Sequence, residues 1–329
     1  MSLSFLTPEA LPVTDPRFVA SDPAVRRLAV IDAAESDDEV FLPLLVRALR
    51  QDVDADVRRT AAEYLAAWET PDAIDALCDA LNDPDPGTRE AAGDSLSALK
   101  QPDLGLRLLP RLAGATTFAR TALLRALREL RLVDSAGPAH AALADPAATV
   151  RREAIGVLGW LRHAPALPSL ARLVRDDGDT EVRRAAVGAL GFAADDGVLP
   201  TLLHALGDKH WQVREEAAAT LGKLRRVAAR VALETALGDD YWQVTLQAAR
   251  ALGRLGDPAS AGAVAGLLTY PLSNVRKEAA LALGEVGGIA ELAVLEAALQ
   301  DGDPEVRKSA RIAIAQIRER ASADSEHQA

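Results

Sequence analysis

The sequence predicts an all-α chain wound as an α-solenoid, a superhelical stack of about ten helix pairs. Three observations carry this. Sliding the chain against itself aligns Val25, Val57, Thr88, Ala119, Val150, Val182, Val213, Val244, Val275 and Val306 at successive spacings of 31 or 32 residues, and a fixed period in this range marks an array whose units pack on their neighbours. Each aligned residue begins a helical stripe: Val213, Ala217, Leu221 and Leu224 share one arc at about 100° per residue, as do Val182, Ala186, Leu190 and Ala193. Apolar residues make up 49% of the chain but aromatics only 4%, so Ala, Leu and Val must build the core, a composition suited to closely packed helices.

Residues 1–21 stand outside the repeat and are expected to form an irregular cap over the first helix pair, since end repeats need a polar outer face. The array runs from Asp22 to residue 320. Asp22, Asp54, Asp85, Asp179 and Asp303 each precede the aligned residue by three positions, where Asp signals a helix N-cap. Four residues after the aligned position stands Ala in nine of ten copies, with Leu123 the exception, so the helix axes can approach closely. Gly159, Gly191, Gly222, Gly253 and Gly284 recur at one position in five consecutive copies, which predicts either helix termination or close backbone contact. A second apolar segment follows each loop, as in 166–174, 198–206 and 260–268, and reads as the companion helix. The tail from Ala321 to Ala329 is small, polar and aperiodic, and is expected to be disordered.

The unit D-x-x-V-R-x-x-A-A-x-A-L-G followed by a Leu-rich helix resembles a HEAT repeat of the short bacterial type first recognised in phycobilin lyases, over roughly residues 22–319. The resemblance implies ladders between neighbouring repeats, formed by the Arg after the aligned residue and an Asp of the preceding turn. Arg26, Arg58, Arg89, Arg120, Arg151, Arg183, Arg214, Arg276 and Arg307 supply one series, and Asp52, Asp83, Asp145, Asp177, Asp208, Asp239 and Asp301 the other. Thr245 interrupts the arginines. Copy four departs at Ala119 and Gly114, where a local change of curvature is expected.

The resemblance also implies a concave face lined by second helices. The arc opposite the core stripe holds offsets −1, +2, +3, +6 and +10 from the aligned residue, with −2 at its edge. Copies one to three fill these offsets with charged or small residues such as Arg27, Glu63 and Asp94, a solvated face. Copies five to eight instead place Trp160 and Phe192 at +10, Trp211 and Trp242 at −2, and Leu246 at +2. Offset +6 there is Gly156, Gly188, Ala219 and Arg250, so small residues are expected to leave room beneath an aromatic rim. With Gln212, Glu215, Glu216, Gln243 and Arg250 as polar groups, this is the candidate partner-binding groove. Aromatics near helix ends also commonly pack on the adjacent repeat, and for Trp160 and Phe192 that reading stands level with binding. Trp211 and Trp242 occupy a slot that holds Pro23, Pro86, Ser273 or Pro304 in other copies, so the repeat itself does not require an aromatic there.

No catalytic constellation emerges. The five histidines form no i, i+4 pair, and no His-Glu dipeptide like those of di-iron HEAT hydroxylases occurs, so no metal or other cofactor is expected. His210 neighbours Trp211 at the groove edge and is a minor candidate for an acidic partner. Cys78 lies among Ile74, Leu77 and Leu81, and a buried apolar role is expected of it. Being the lone cysteine, it fits a reducing compartment, and the cytoplasm is the expected location. Residues 1–18 lack a basic stretch and contain Pro8 and Pro12, unlike a signal peptide, and no apolar run is long enough to cross a membrane. The net charge of −11, without a Lys/Arg-rich run, opposes general nucleic-acid binding, and with it a HEAT-type DNA-repair glycosylase, though it leaves room for a local basic patch.

The function expected is therefore a non-catalytic scaffold that holds a protein partner on its concave face, a basic or amphipathic helix suiting the acidic chain. The resemblance implies an alternative, a bilin lyase or tetrapyrrole chaperone. Trp160, Phe192, Trp211, Trp242 and Arg250 would then wall an open-chain chromophore.

Overall fold

The computed structural model describes residues 14–36 and 38–327, and among these it contains α-helices and 3₁₀ turns but no strand. Packing divides it into two units, one ending at Leu161 and the other beginning at Arg162. The first holds α1 (Pro23–Glu35), α2 (Leu42–Gln51), α3 (Ala55–Leu65), α4 (Pro71–Ala80), α5 (Pro86–Ser97), α6 (Pro102–Gly105), α7 (Thr117–Leu130), α8 (Ala136–Ala142) and α9 (Ala148–Trp160). The second holds α10 (Leu167–Asp176), α11 (Thr180–Ala189), α12 (Leu199–Ala205), α13 (Trp211–Leu224) and α14 (Arg230–Ala236). It continues with α15 (Trp242–Leu255), α16 (Ala261–Ala265), α17 (Ser273–Val286), α18 (Leu292–Ala298) and α19 (Pro304–His327).

Odd-numbered helices carry the aligned residues, and even-numbered ones are their companions. Within the first unit α1, α3, α5, α7 and α9 stack in succession, and within the second α11, α13, α15, α17 and α19 do the same. The even helices pack chiefly on the odd helix that follows, and less closely on one another. The core lies between the two layers: Val213, Ala217, Leu221, Val244, Ala248 and Leu252 are fully buried. Val25, in the first of the ten copies, is 38% exposed.

The capping signals act as expected. Asp54 accepts from the Asp56 and Val57 N–H groups, Asp85 from Thr88 N and Asp179 from Val182 N, satisfying donors that a helix start leaves open. The expected ladder is also present. Arg214 Nε and Nη2 donate to the Asp239 carboxylate at 2.7 Å each, while its Nη1 donates to the Asp208 carbonyl at 2.9 Å. Asp239 in turn accepts from Tyr241 N. The same fork joins Arg26 to Asp52, Arg58 to Asp83, Arg183 to Asp208 and Arg276 to Asp301. Each rung thus ties a turn to the helix it caps and to the repeat before it. Where Thr245 replaces the arginine, Tyr270 stands where its aspartate would, so both partners are exchanged together and neither charge is left buried.

Of the two readings of the recurrent glycines, close contact prevails at Gly253. It lies inside α15, and a β-carbon on it would come within 3.0 Å of the Ala282 Cα. Copy four is irregular in the companion segment before it: α6 has four residues, a 3₁₀ turn Leu109–Leu112 follows, and Gly114 adopts φ 72°.

Of the cap, residues 1–13 lie outside the described residues; the rest forms a 3₁₀ turn, Pro16–Val19, with Phe18 buried and the turn packed on α1. The tail expected to be disordered from Ala321 continues α19 to His327, because its Ala, Ser and Glu residues include no Gly or Pro to stop a helix already under way. Residues 328 and 329 lie outside the described residues. Arg320 donates to the Gly284 and Gly287 carbonyls, tying this helix to the end of α17.

Candidate functional site

All ten candidate residues fall on the odd-numbered helices or their ends, not on the companion helices that were expected to line the binding face. The odd layer is the closely packed one, and its outward arc is grooved in both units.

In the second unit α13 opens with Trp211 and α15 with Trp242, each after an N-cap residue, His210 or Tyr241, that lacks a side-chain cap. Trp211 is not a free anchor: its ring stacks on that of Tyr241, centroids 5.7 Å apart and planes 15° apart. Arg214 covers the Tyr241 ring at 5.6 Å while holding Asp239, so the stack is tied into the ladder. Trp242 is 36% exposed. Phe192 is half-buried in a 3₁₀ turn after α11, and Leu246 is half-buried on α15. Gln212 and Glu215 are likewise half-buried, and Gln243 keeps a buried Oε1 with no hydrogen-bond partner. Trp160, in the first unit, is 52% exposed, with the Arg131 guanidinium 4.4 Å from its ring centroid.

The room expected at offset +6 is occupied. Arg128 Cδ lies 2.9 Å from where a β-carbon on Gly156 would sit, and Glu216 Oε1 takes the same position over Gly188. The glycines make space for long side chains of neighbouring helices, not for a ligand. Burial raises the Glu216 carboxyl above its ordinary pKa, against the pull of Arg184. Arg250 is engaged too, its Nε and Nη2 donating to Glu278 at 2.9 and 2.7 Å.

Arg250 borders a groove of about 550 Å³ between α15, α17 and α19, whose apolar lining includes Leu255, Leu281 and Ile312 and whose charged lining includes Arg225, Arg254, Glu278 and Glu285. Sequence reasoning missed Glu278, Leu281 and Ile312, although they occupy offsets +3, +6 and +6 of copies nine and ten. Extending the same reading beyond copy eight finds them. Tyr241 was missed as well; its signal is an aromatic at the place where other copies carry an Asp cap.

No group of His, Cys, Asp and Glu able to hold a metal occurs among the described residues. Cys78 is 4% exposed and burial pushes its thiol up to about 12, the opposite of an activated nucleophile. No described helix is long and apolar enough to cross a membrane.

Among the described residues, a strand-free stack of helix pairs with grooved inter-helix faces defines an α-solenoid. Its repeats match the model for HEAT repeats over residues 8–97, 42–128, 106–190, 173–249 and 231–315, and the chain belongs to the HEAT-repeat family. Among solved structures it is similar to an engineered protein at 22% identity and TM-score 0.55, covering 92% of this chain and 97% of that one. It is also similar to YibA of Escherichia coli at 21% identity and TM-score 0.51, covering 87% and 95%. Kap95p in its complex with RanGDP aligns at 14% identity and TM-score 0.63 over 92% of this chain, which spans 49% of Kap95p. These identities establish shared fold only. No curated protein matches the chain by sequence.

Proposed function

We propose that the chain is a non-catalytic scaffold that holds a protein partner against the face formed by its odd-numbered helices. The observation that carries this reading is the groove between α15, α17 and α19, in which Leu281 and Ile312 lie between charged groups of both signs. An amphipathic helix suits it, its apolar side chains entering beside Ile312 and its polar ones meeting Arg254 and Glu285. Trp242, exposed at the start of α15, extends the contact. Solved structures pair Kap95p with RanGDP and with Nup1, which supports a protein-binding use of this fold. The acidic balance of the chain favours encounter with a basic partner, and its lone buried cysteine favours a reducing compartment such as the cytoplasm. The spacings of 31 and 32 residues support repeats of the short, phycobilin-lyase type.

The test is an affinity pull-down from native host lysate, with mass spectrometry and an absorption spectrum on the eluate, comparing wild type with Ile312→Asp and Trp242→Ala. A protein retained by wild type and lost from both variants, each with unchanged circular dichroism, is the expected result. An unchanged set of partners overturns the assignment, and a coloured eluate favours an open-chain tetrapyrrole.

A further inference from the structure

The first unit carries a local charge opposite to that of the chain. Helices α7 and α9, with the residue that closes α7, present Arg125, Arg128, Arg131 and Arg152, and the carboxylates in contact with them are Glu153 and Glu129. Glu153 is 4% exposed and serves three of them, Arg128 Nη1 at 2.9 Å but Arg125 and Arg152 only at 3.7 Å. Those last two contacts are beyond hydrogen-bond reach, and both side chains are more than 40% exposed. Four guanidiniums over two carboxylates leave a surplus of two positive charges, on a chain whose net charge is −11.

Two rings flank this cluster, each with a cation over it. Arg131 closes α7 in the left-handed region, φ 52°, where α15 uses Gly256 at φ 72°. Arg225 closes α13 in the same way at φ 53°, and what distinguishes Arg131 is its guanidinium, seated on the solvent-facing Trp160. At the other end Arg89 lacks its ladder aspartate, since Gly114 stands in that place, and lies 5.7 Å from the ring centroid of Phe118, which is 38% exposed. Phe118, Thr121, Arg125 and Thr149 line a second groove of about 550 Å³ whose far side, on α5, is Glu90 and Asp94.

We propose that this α7–α9 face docks an acidic protein segment, whose carboxylates meet Arg125 and Arg152 and whose apolar side chains lie against Phe118 and Trp160. Planar guanidinium forks with unspent donors match carboxylates two by two, and the exposed rings supply anchors. Glu90 and Asp94 confine the segment to α7 and α9, because like charges repel it from α5. The same two carboxylates disfavour a nucleic-acid backbone, which needs positive charge along its whole track. This site belongs to the first unit and shares no residue with the second-unit groove.

The probe is a labelled peptide of alternating Glu and Leu, titrated into the full chain and read by fluorescence anisotropy beside its Gln-Leu analogue and a labelled single-stranded oligonucleotide. The Glu peptide is expected to bind with an affinity that weakens as salt rises, and the Gln analogue to bind at least roughly tenfold more weakly. Arg125→Gln with Arg152→Gln is expected to lose at least about tenfold in affinity for the Glu peptide while circular dichroism stays unchanged. Should that pair fail to fold, Trp160→Ala provides the second reading, again a loss of peptide affinity. Ile312→Asp, which alters only the second-unit groove, is expected to leave peptide affinity as in wild type. Equal binding of the two peptides, wild-type affinity in the folded arginine variant or in Trp160→Ala, or tighter binding of the oligonucleotide would each overturn the proposal.

Discussion

A β-carbon built on Gly222 would lie 2.8 Å from both the Cα and the Cβ of Ala251, so α13 and α15 meet backbone to backbone where they cross. Neither side can yield by rotating a side chain. Gly222→Ala is therefore expected to cost about 1–3 kcal/mol, read from the urea midpoint at unchanged slope. Gly262→Ala is the control, because nothing lies within 4 Å of its β-position; it should be neutral or stabilise by up to about 1 kcal/mol. Equal effects at the two sites would refute the close crossing.

Acid should dissolve the ladder. Burial pushes the Asp239 carboxyl up, but the Arg214 fork and the Tyr241 N–H more than offset it, and the net pKa lies below the ordinary value. Asp52, Asp83 and Asp208 show the same balance with Arg26, Arg58 and Arg183. A carboxyl lowered in the folded state adds stability that is fully present above its unfolded pKa and is lost as pH falls through the folded one. The melting temperature is thus expected to hold from about pH 7 to about pH 5 and to drop below about pH 4. Asp239→Asn should lower stability at neutral pH by about 1–3 kcal/mol and make the acid loss shallower. A melting temperature that rises on acidification would contradict this.

The missing rung at Thr245 and Tyr270 offers a test by repair. Thr245 is fully buried, so Thr245→Arg alone places a guanidinium without a carboxylate and should destabilise the chain by about 2 kcal/mol or more. Adding Tyr270→Asp supplies the partner found in the other rungs. The double variant is expected to recover a measurable part of the loss, giving a favourable coupling in a double-mutant cycle. Strict additivity would show that position 270 does not face position 245.

The two tryptophans should separate by thermal and urea melts. Trp211→Ala removes a stacked ring joined to Tyr241 and should cost about 1–2 kcal/mol. Trp242→Ala, at a more exposed ring, should stay within about 0.5 kcal/mol. The reverse order would make Trp242 the packing residue and Trp211 the better anchor.

Much of the fold was legible before any coordinates. The period recurs in ten copies, the Ala column in nine and the Asp caps in five, and a local signal averaged over so many copies outweighs the irregularities of any one of them. The ladder was what the resemblance to a HEAT repeat implied for the Arg and Asp residues at fixed places in the unit. The site was less legible. Gly156 and Gly188 read as empty space, since a sequence does not show that Arg128 and Glu216 of neighbouring helices fill it. Trp211 read as a partner-binding residue with no packing role, because the ring it stacks on, Tyr241, lies about one repeat away.

What the sequence by itself determined is the repeating unit: helix periods, starts, small-residue contacts and charge pairs, each set by residues within one period or at a fixed distance in the next. Only the tertiary structure decided which long side chains lie over which glycines, and which rings and guanidiniums are already engaged. It also decided that the two grooves beside Ile312 and beside Phe118 form on the valine-bearing layer. Those outcomes depend on how neighbouring helices cross and on which rotamer fills the gap between them, quantities set by packing between repeats and not by the pattern within one.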